Sequence, residues 1–432
     1  MKKISVMQYQ DKVTLFLNYL LVIYAFLLPF NINLSNTLFH LILLLFFFSG
    51  NLKEKLHFAF KNRVVQSLIL FYFMYLVWAF SSQHFDWMLW KLKEFKYLFY
   101  IIIFLTILQN DFREKILNAF IFSVFLNEII SYLMFFNIPI NFIKTTGFGP
   151  LVPFFYTYSQ YVLLILIVIS VLFYRMLKNK FSNTLTKIYS YATFISSSVL
   201  IFLLDSKLGY ILYFALLFIV FFNTKKHLFK FKYFIGILVG IFITSFLAFN
   251  FSSTFKMRVS NMYNQVNEVV LHHKFTGSTG TRLAWDIIGT EIFLQHPILG
   301  AGGFNHIDLA IQKITNLQLP ESEKNQLLIF ENKITPQMQT LHNEYLDHMI
   351  QFGIIGLLIL LNIFYSIYKN KAQDEEFQVL KISLLTLFML YCFVNYFFVL
   401  SQLGIIFFLL ISTTLTTYGE AKFNHPQEVN NE

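Results

Sequence analysis

Residues 158–175 read YSQYVLLILIVISVLFYR. Apart from the terminal Arg175 the stretch carries no charge. A helix over it can cross most of a bilayer, where each backbone amide must find its partner within the segment. The same pattern recurs outward in both directions, with solid apolar runs at 41–48 and 101–108. Candidate spans lie near 14–30, 33–49, 64–80, 96–109, 116–136, 158–175, 188–204, 208–222, 233–250, 345–368, 378–399 and 402–418. Of 432 residues, 56% are hydrophobic and only 13% charged, about half the charged share of a water-soluble domain. The expected fold is therefore an all-α polytopic membrane protein of about twelve transmembrane helices.

The chain carries a net charge of +10, and the distribution of that charge argues against nucleic acid. Alternate connections between spans hold 21 of the 33 Lys and Arg, whereas the short connections of the other set hold five: Lys91, Lys93, Lys96, Lys144 and Lys207. Cytoplasmic loops attract such an excess, so both termini are expected inside. The remaining seven lie in the long connection 251–344, expected outside. Four regions follow: 1–250 with about nine helices, a large partly helical outside loop at 251–341, three C-terminal helices in 342–418, and a cytoplasmic tail at 419–432. The basic start, 1–13, runs into an apolar stretch with no small-x-small cleavage site and reads as a retained first helix. Cys392 is the single cysteine, which excludes an intrachain disulfide. No internal repeat stands out, and Glu128 is the clearest ionisable residue within a span, which weakens a transporter reading.

A connection of this length amid short ones is usually functional or a small domain. Residues 282–294 have helical periodicity, with Ile288 and Ile292 on one face and Trp285 one turn earlier; Thr281 is a plausible N-cap, and His296-Pro297 ends the segment. Gly300-Ala301-Gly302-Gly303-Phe304 then reads as a flexible turn returning the loop to the membrane. It lacks the residues of a phosphate loop.

Arg282 is more telling. The chain has five Arg against 28 Lys, and of the five only Arg258 and Arg282 fall outside. Arg used sparingly points to the forked guanidinium and so to bidentate recognition of phosphate or carboxylate; a solvated charge at a helix end is the plainer alternative.

His342 stands where the loop re-enters the membrane, before a helix that Thr340 or Asn343 can cap. The positive end of that helix favours a neutral imidazole, which a general base needs. An interfacial histidine is the plainer reading, since His272, His273, His296 and His306 show that histidines are common here. None has zinc-site spacing. Asp205-Ser206-Lys207-Leu208-Gly209 makes a very short polar turn between two apolar spans, from which the Lys207 cation would project into any cavity at the outer surface; an ordinary interfacial turn with a snorkelling lysine is the plainer alternative. Residues 87–96, with Trp87, Trp90, Lys91 and Lys93, are expected to lie along the interface.

Three stretches resemble the O-antigen ligase and polymerase superfamily of bacterial envelope glycan enzymes. Gly280-Thr281-Arg282-Leu283-Ala284-Trp285 followed by His296-Pro297-Ile298-Leu299-Gly300-Ala301-Gly302 is similar to the family's Gly-x-Arg…Trp…His-Pro-hydrophobic-Leu-Gly-x-Gly block. His342-Asn343, nine residues, then Gly353 is similar to the ligase signature that closes the loop. Ser206-Lys207 stands where many members have Ser-Arg. Gly356 stands where ligases often have Thr, and Lys207 replaces the frequent Arg. The resemblance implies transfer of a glycan from undecaprenyl diphosphate at the periplasmic face of the bacterial inner membrane, inverting and without metal or other cofactor. In a ligase the acceptor is a sugar hydroxyl of lipid A-core. His342 and Arg282 would be catalytic, Arg282 and Lys207 would hold the diphosphate, and Asn343, Gly300, Gly302 and Trp285 would support them. Membrane helices would supply the groove for the polyprenyl tail, with membrane lipids as further partners. An O-antigen polymerase, a protein O-oligosaccharyltransferase and a polytopic transporter are the alternatives.

Overall fold

The computed structural model describes residues 2–138, 151–154, 157–204, 206–225, 231–272, 274–328, 341–398 and 400–424. Every regular element among them is helical. Helices α1 (Lys2–Leu27) and α2 (Ile32–Phe46) form a hairpin, with the Asn31 side chain accepting the Leu34 N–H to start α2. Helices α3 (Leu52–Lys61) and α4 (Arg63–Ala79) meet at 78°. After them come α5 (Phe85–Glu94), a 3-10 turn, and α6 (Tyr100–Ile107). Four long apolar helices follow: α7 (Asn110–Phe135), α8 (Tyr158–Lys178), α9 (Thr184–Leu203) and α10 (Lys207–Thr224). Thr157, Asn183 and Ser206 cap the last three, each accepting an orphan amide of the first turn.

Helix α11 (Phe231–Phe251) leads into the long connection, which is itself helical: α12 (Ser253–His272), α13 (Gly277–Gln295), α14 (Asn305–Asn316) and α15 (Glu321–Leu327). Helices α16 (Glu344–Lys369), α17 (Glu375–Tyr391), α18 (Ser401–Thr414) and α19 (Tyr418–Asn424) complete the described chain. Most of the expected tail lies beyond it. The connection has its own small core, in which Trp285, Ile288 and Ile292 of α13 pack with Ala310 and Ile314 of α14. Leu346 and Ile350 of α16 belong to the same cluster, so the connection is seated on the re-entering helix.

All twelve expected segments are helical over most of their length. Among the described residues seven helices are long and apolar enough to cross a membrane, or eight if α3 and α4 make one bent span. Helices such as α2, with 15 residues, and α6, with 8, account for part of the shortfall, since about 20 residues are needed to span.

Four local readings change. Helix α13 begins at Gly277, so Thr281 lies a full turn inside, its hydroxyl donating to the Gly277 carbonyl at 2.9 Å; Arg282 sits in the second turn and escapes most of the dipole penalty. The span expected at 378–399 stops at Tyr391. Beyond it, Glu344 N–H donates to Cys392 O at 2.8 Å, and the Glu344 carboxylate accepts from Phe397 N–H at 2.6 Å. Those contacts satisfy unwound backbone that lipid could not. Helix α16 is broken at Gly353, whose φ is 67°. Lastly, residues 87–96 do not lie free at an interface. Lys91 is only 5% exposed, and burial draws its pKa down to about 8 against the opposing pull of Glu344 and Asp347.

Candidate active site

Polar ends of several helices converge on one cavity of about 390 Å³. Ser206, accepting the Gly209 N–H at 3.2 Å, starts α10 and puts Lys207 at its first position. A Cβ on Gly209 would lie 2.8 Å from Val162, so glycine lets this turn sit close against α8. Lys207 Nζ donates to Thr279 Oγ1 at 3.0 Å, tying α10 to the first turn of α13. Lys207, Arg258 of α12, Arg282 of α13 and His342 all border the cavity. The start of α8 adds Ser159 and Gln160, and the unwound stretch after α17 adds Asn395 and Tyr396. No carboxylate is among the described residues that line it, so three cations face a space suited to an anion.

One face of α13 organises the histidine. Arg282, Trp285 and Asp286 stand at i, i+3 and i+4, hence on the same side of the helix. The Trp285 and His342 rings stack, centroids 5.3 Å apart and 12° from parallel. Tyr396 flanks His342 with a centroid separation of 5.4 Å. Asp286 Oδ1 accepts from Asn343 Nδ2 at 3.1 Å, while Asn343 Oδ1 caps α16 by accepting the Leu346 N–H at 3.2 Å. The Asn343 amide thus joins the two helices across the turn. His342 itself has φ 58°, the left-handed region that non-glycine side chains rarely occupy. Its Nδ1 is buried, and the ring as a whole borders the cavity. Burial raises the Asp286 pKa, against the Asn343 hydrogen bond and the nearby Arg282 charge. Burial lowers that of Arg282, with Tyr391, Asp286 and Tyr396 pulling the other way.

Gly300 and Gly302 stand apart from this cavity, in the turn that closes on the break in α16. Ala301 N–H donates to Ile350 O at 2.7 Å, Gly302 N–H to Gln351 O at 3.1 Å, and Ile354 N–H to Pro297 O at 2.9 Å. Gly300 and Gly353 have φ of 73° and 67°, and a Cβ on either would come within 2.4 Å of facing backbone. Their part is to seat the connection on α16 rather than to touch a ligand. His306 is fully buried in α14, 3.5 Å from Asp347, and His296 ends α13; neither borders the cavity. Asp205, His273 and Thr340 lie outside the described residues.

Arg258 belongs to no motif in the sequence, and its one signal there is rarity, as one of five arginines in the chain. Tyr396 and Asn395 gave no signal, being embedded in what looked like a continuous span. Asp286 was hidden for another reason, because its meaning depends on Asn343, which is far away in sequence. Residues 191–361, from α9 to just past the Gly353 break, match the family model described as O-antigen ligase. No curated protein matches the chain.

Proposed function

We propose that this chain, a membrane glycosyltransferase-like enzyme that belongs to the O-antigen ligase superfamily through residues 191–361, is an O-antigen ligase. It would transfer a glycan from undecaprenyl diphosphate to a sugar hydroxyl of lipid A-core, at the periplasmic face of the bacterial inner membrane. The observation that carries this reading is the convergence of Lys207, Arg282 and His342, from three separate parts of the chain, on one cavity without a lining carboxylate among the described residues.

In the proposed reaction the acceptor oxygen attacks the anomeric carbon from the face opposite the diphosphate, and the anomeric centre inverts. The His342 imidazole takes the hydroxyl proton as the new glycosidic bond forms. The bond from the sugar to the diphosphate breaks, and its electron pair stays on the diphosphate. Arg282 holds that developing charge with its planar fork, and Lys207 and Arg258 add point and forked charge beside it. Trp285 and Tyr396 fix the plane of the imidazole, while Asn343, held by Asp286, fixes the turn that presents it. Gly300 and Gly302 act at one remove by anchoring the connection.

Purified protein supplied with lipid-linked glycan and rough lipopolysaccharide tests the assignment. A ligase extends the lipopolysaccharide. A product in which donor glycan is added only to further donor would instead make the chain a polymerase of the same superfamily, and no product with either acceptor would remove the enzymatic reading.

A further inference from the structure

A second cavity, of about 610 Å³, opens among α7, α8 and the turn into α9. Helix α8 serves as the ruler. Gln160 near its start borders the first cavity and Arg175 near its end borders this one, roughly 22 Å apart at helical rise. An apolar helix of this length reaches from one headgroup layer to the other. The second cavity therefore lies at the depth of lipid phosphates, at the end of the bundle opposite Arg282.

Its walls are divided in the same way as a lipid. Ile121, Phe122 and Leu172 are apolar, and Arg175, Lys180 and Asn118 are polar. Two edges of the Arg175 guanidinium are used: Nε donates to Glu376 Oε1 at 2.7 Å and Nη1 to Asn118 Oδ1 at 2.8 Å. Nη2 is buried and makes no hydrogen bond among the described residues; its ion pair there is a long one, 3.9 Å to Glu114. A buried donor without an acceptor is costly, and a ligand oxygen would relieve it. Lys180 pairs with the buried Glu376, whereas the Glu114 side chain is 62% exposed at the rim. Two cations thus meet two carboxylates. A purely anionic headgroup gains little from that balance, while a headgroup with both charges matches it.

We propose that this cavity binds the headgroup of a zwitterionic phospholipid of the phosphatidylethanolamine class. The phosphodiester lies on Arg175 Nη2 and Lys180, the ammonium faces Glu114, and the acyl chains run along Ile121, Phe122 and Leu172. The site is independent of the donor cavity, so its test reads lipid binding and not glycan transfer. Delipidated full-length protein is titrated with phosphatidylethanolamine, phosphatidylglycerol or inorganic phosphate, and retention is measured by native mass spectrometry. Wild type should hold one phosphatidylethanolamine about fivefold more tightly than phosphatidylglycerol, a difference of about 1 kcal/mol, and should not retain phosphate alone. Lys180→Glu removes a phosphate contact and Ser182→Trp blocks the rim from an exposed position; each should lower retention. Equal retention of the two lipids, binding of inorganic phosphate as tight as that of lipid, or retention unchanged in both variants would overturn the proposal.

Discussion

Arg282 carries its guanidinium into a cavity shared with Lys207 and Arg258, and its worth should lie in the fork rather than the charge. Arg282→Lys should therefore lose about 2–4 kcal/mol of transition-state stabilisation, nearly as much as Arg282→Ala. Lys207→Arg should be tolerated. Steady-state transfer rates on well-expressed variants check both, and full activity of Arg282→Lys would reduce the residue to a surface charge. His342 offers a second separation, because its backbone and its ring make opposite demands. At φ 58° glycine is the residue least strained, so His342→Gly should be about 1 kcal/mol more stable than His342→Ala. Both should lose general-base help alike and transfer about 10²–10⁴-fold more slowly than wild type. Thermal unfolding and transfer measured on the same preparations separate the two contributions. Arg282, Lys207 and His342 were legible in the sequence through rarity, position and resemblance. The left-handed turn at His342 was not, because it is set by Trp285 and Asp286 on a helix more than fifty residues earlier.

At the scale of elements, the most informative feature is the break in α16, which a hydropathy pattern reads as one continuous span. Apolar periodicity records which residues avoid water, but says nothing of where a carbonyl from another segment, here Pro297, replaces the helical bond. Gly353→Ala would push a Cβ to within 2.0 Å of Ile298 O at positive φ and should cost about 2 kcal/mol or more. Gly236→Ala in α11, where a Cβ meets nothing within 4 Å, should be neutral or stabilising by about 0.5–1 kcal/mol. Helix α14 adds a dependence on pH. Burial, helped by the charges of His84 and Lys91, lowers the His306 pKa to about 3, while Asp347 stands 3.5 Å away. An unfolded histidine titrates near 6.5, so below that pH the unfolded chain binds a proton that the folded chain refuses. The stability held above pH 6.5 is then lost progressively as pH falls toward 3. Between pH 7 and 5, His306→Phe should lose less thermal stability than wild type; parallel losses would mean that other groups dominate acid sensitivity.

Across the whole molecule, the low charge content together with the long apolar runs points to an all-helical membrane protein, and the positions of the helices follow from those runs. The number of spans does not, since α2 and α6 are apolar yet short and α3 and α4 bend sharply at Asn62. Length and hydropathy do not distinguish a crossing helix from one that turns back. Charge asymmetry supplies an independent expectation: reporter fusions after Asn223 and after Thr279 should report opposite compartments, and matching signals would show that a span has been miscounted. The site resists sequence reading for a related reason. Its walls come from α8, α10, α12, α13 and the unwound stretch after α17, so no single motif contains it. The central claim is that these parts assemble around His342 as the base of a glycan transfer, and the direct measurement is transfer by His342→Ala beside His296→Ala. Losing general-base help should slow His342→Ala by about 10²–10⁴-fold with membrane insertion unchanged, while His296→Ala, at the end of α13 and away from the cavity, should retain most activity. Near-normal transfer by His342→Ala with loss in His296→Ala would contradict the account.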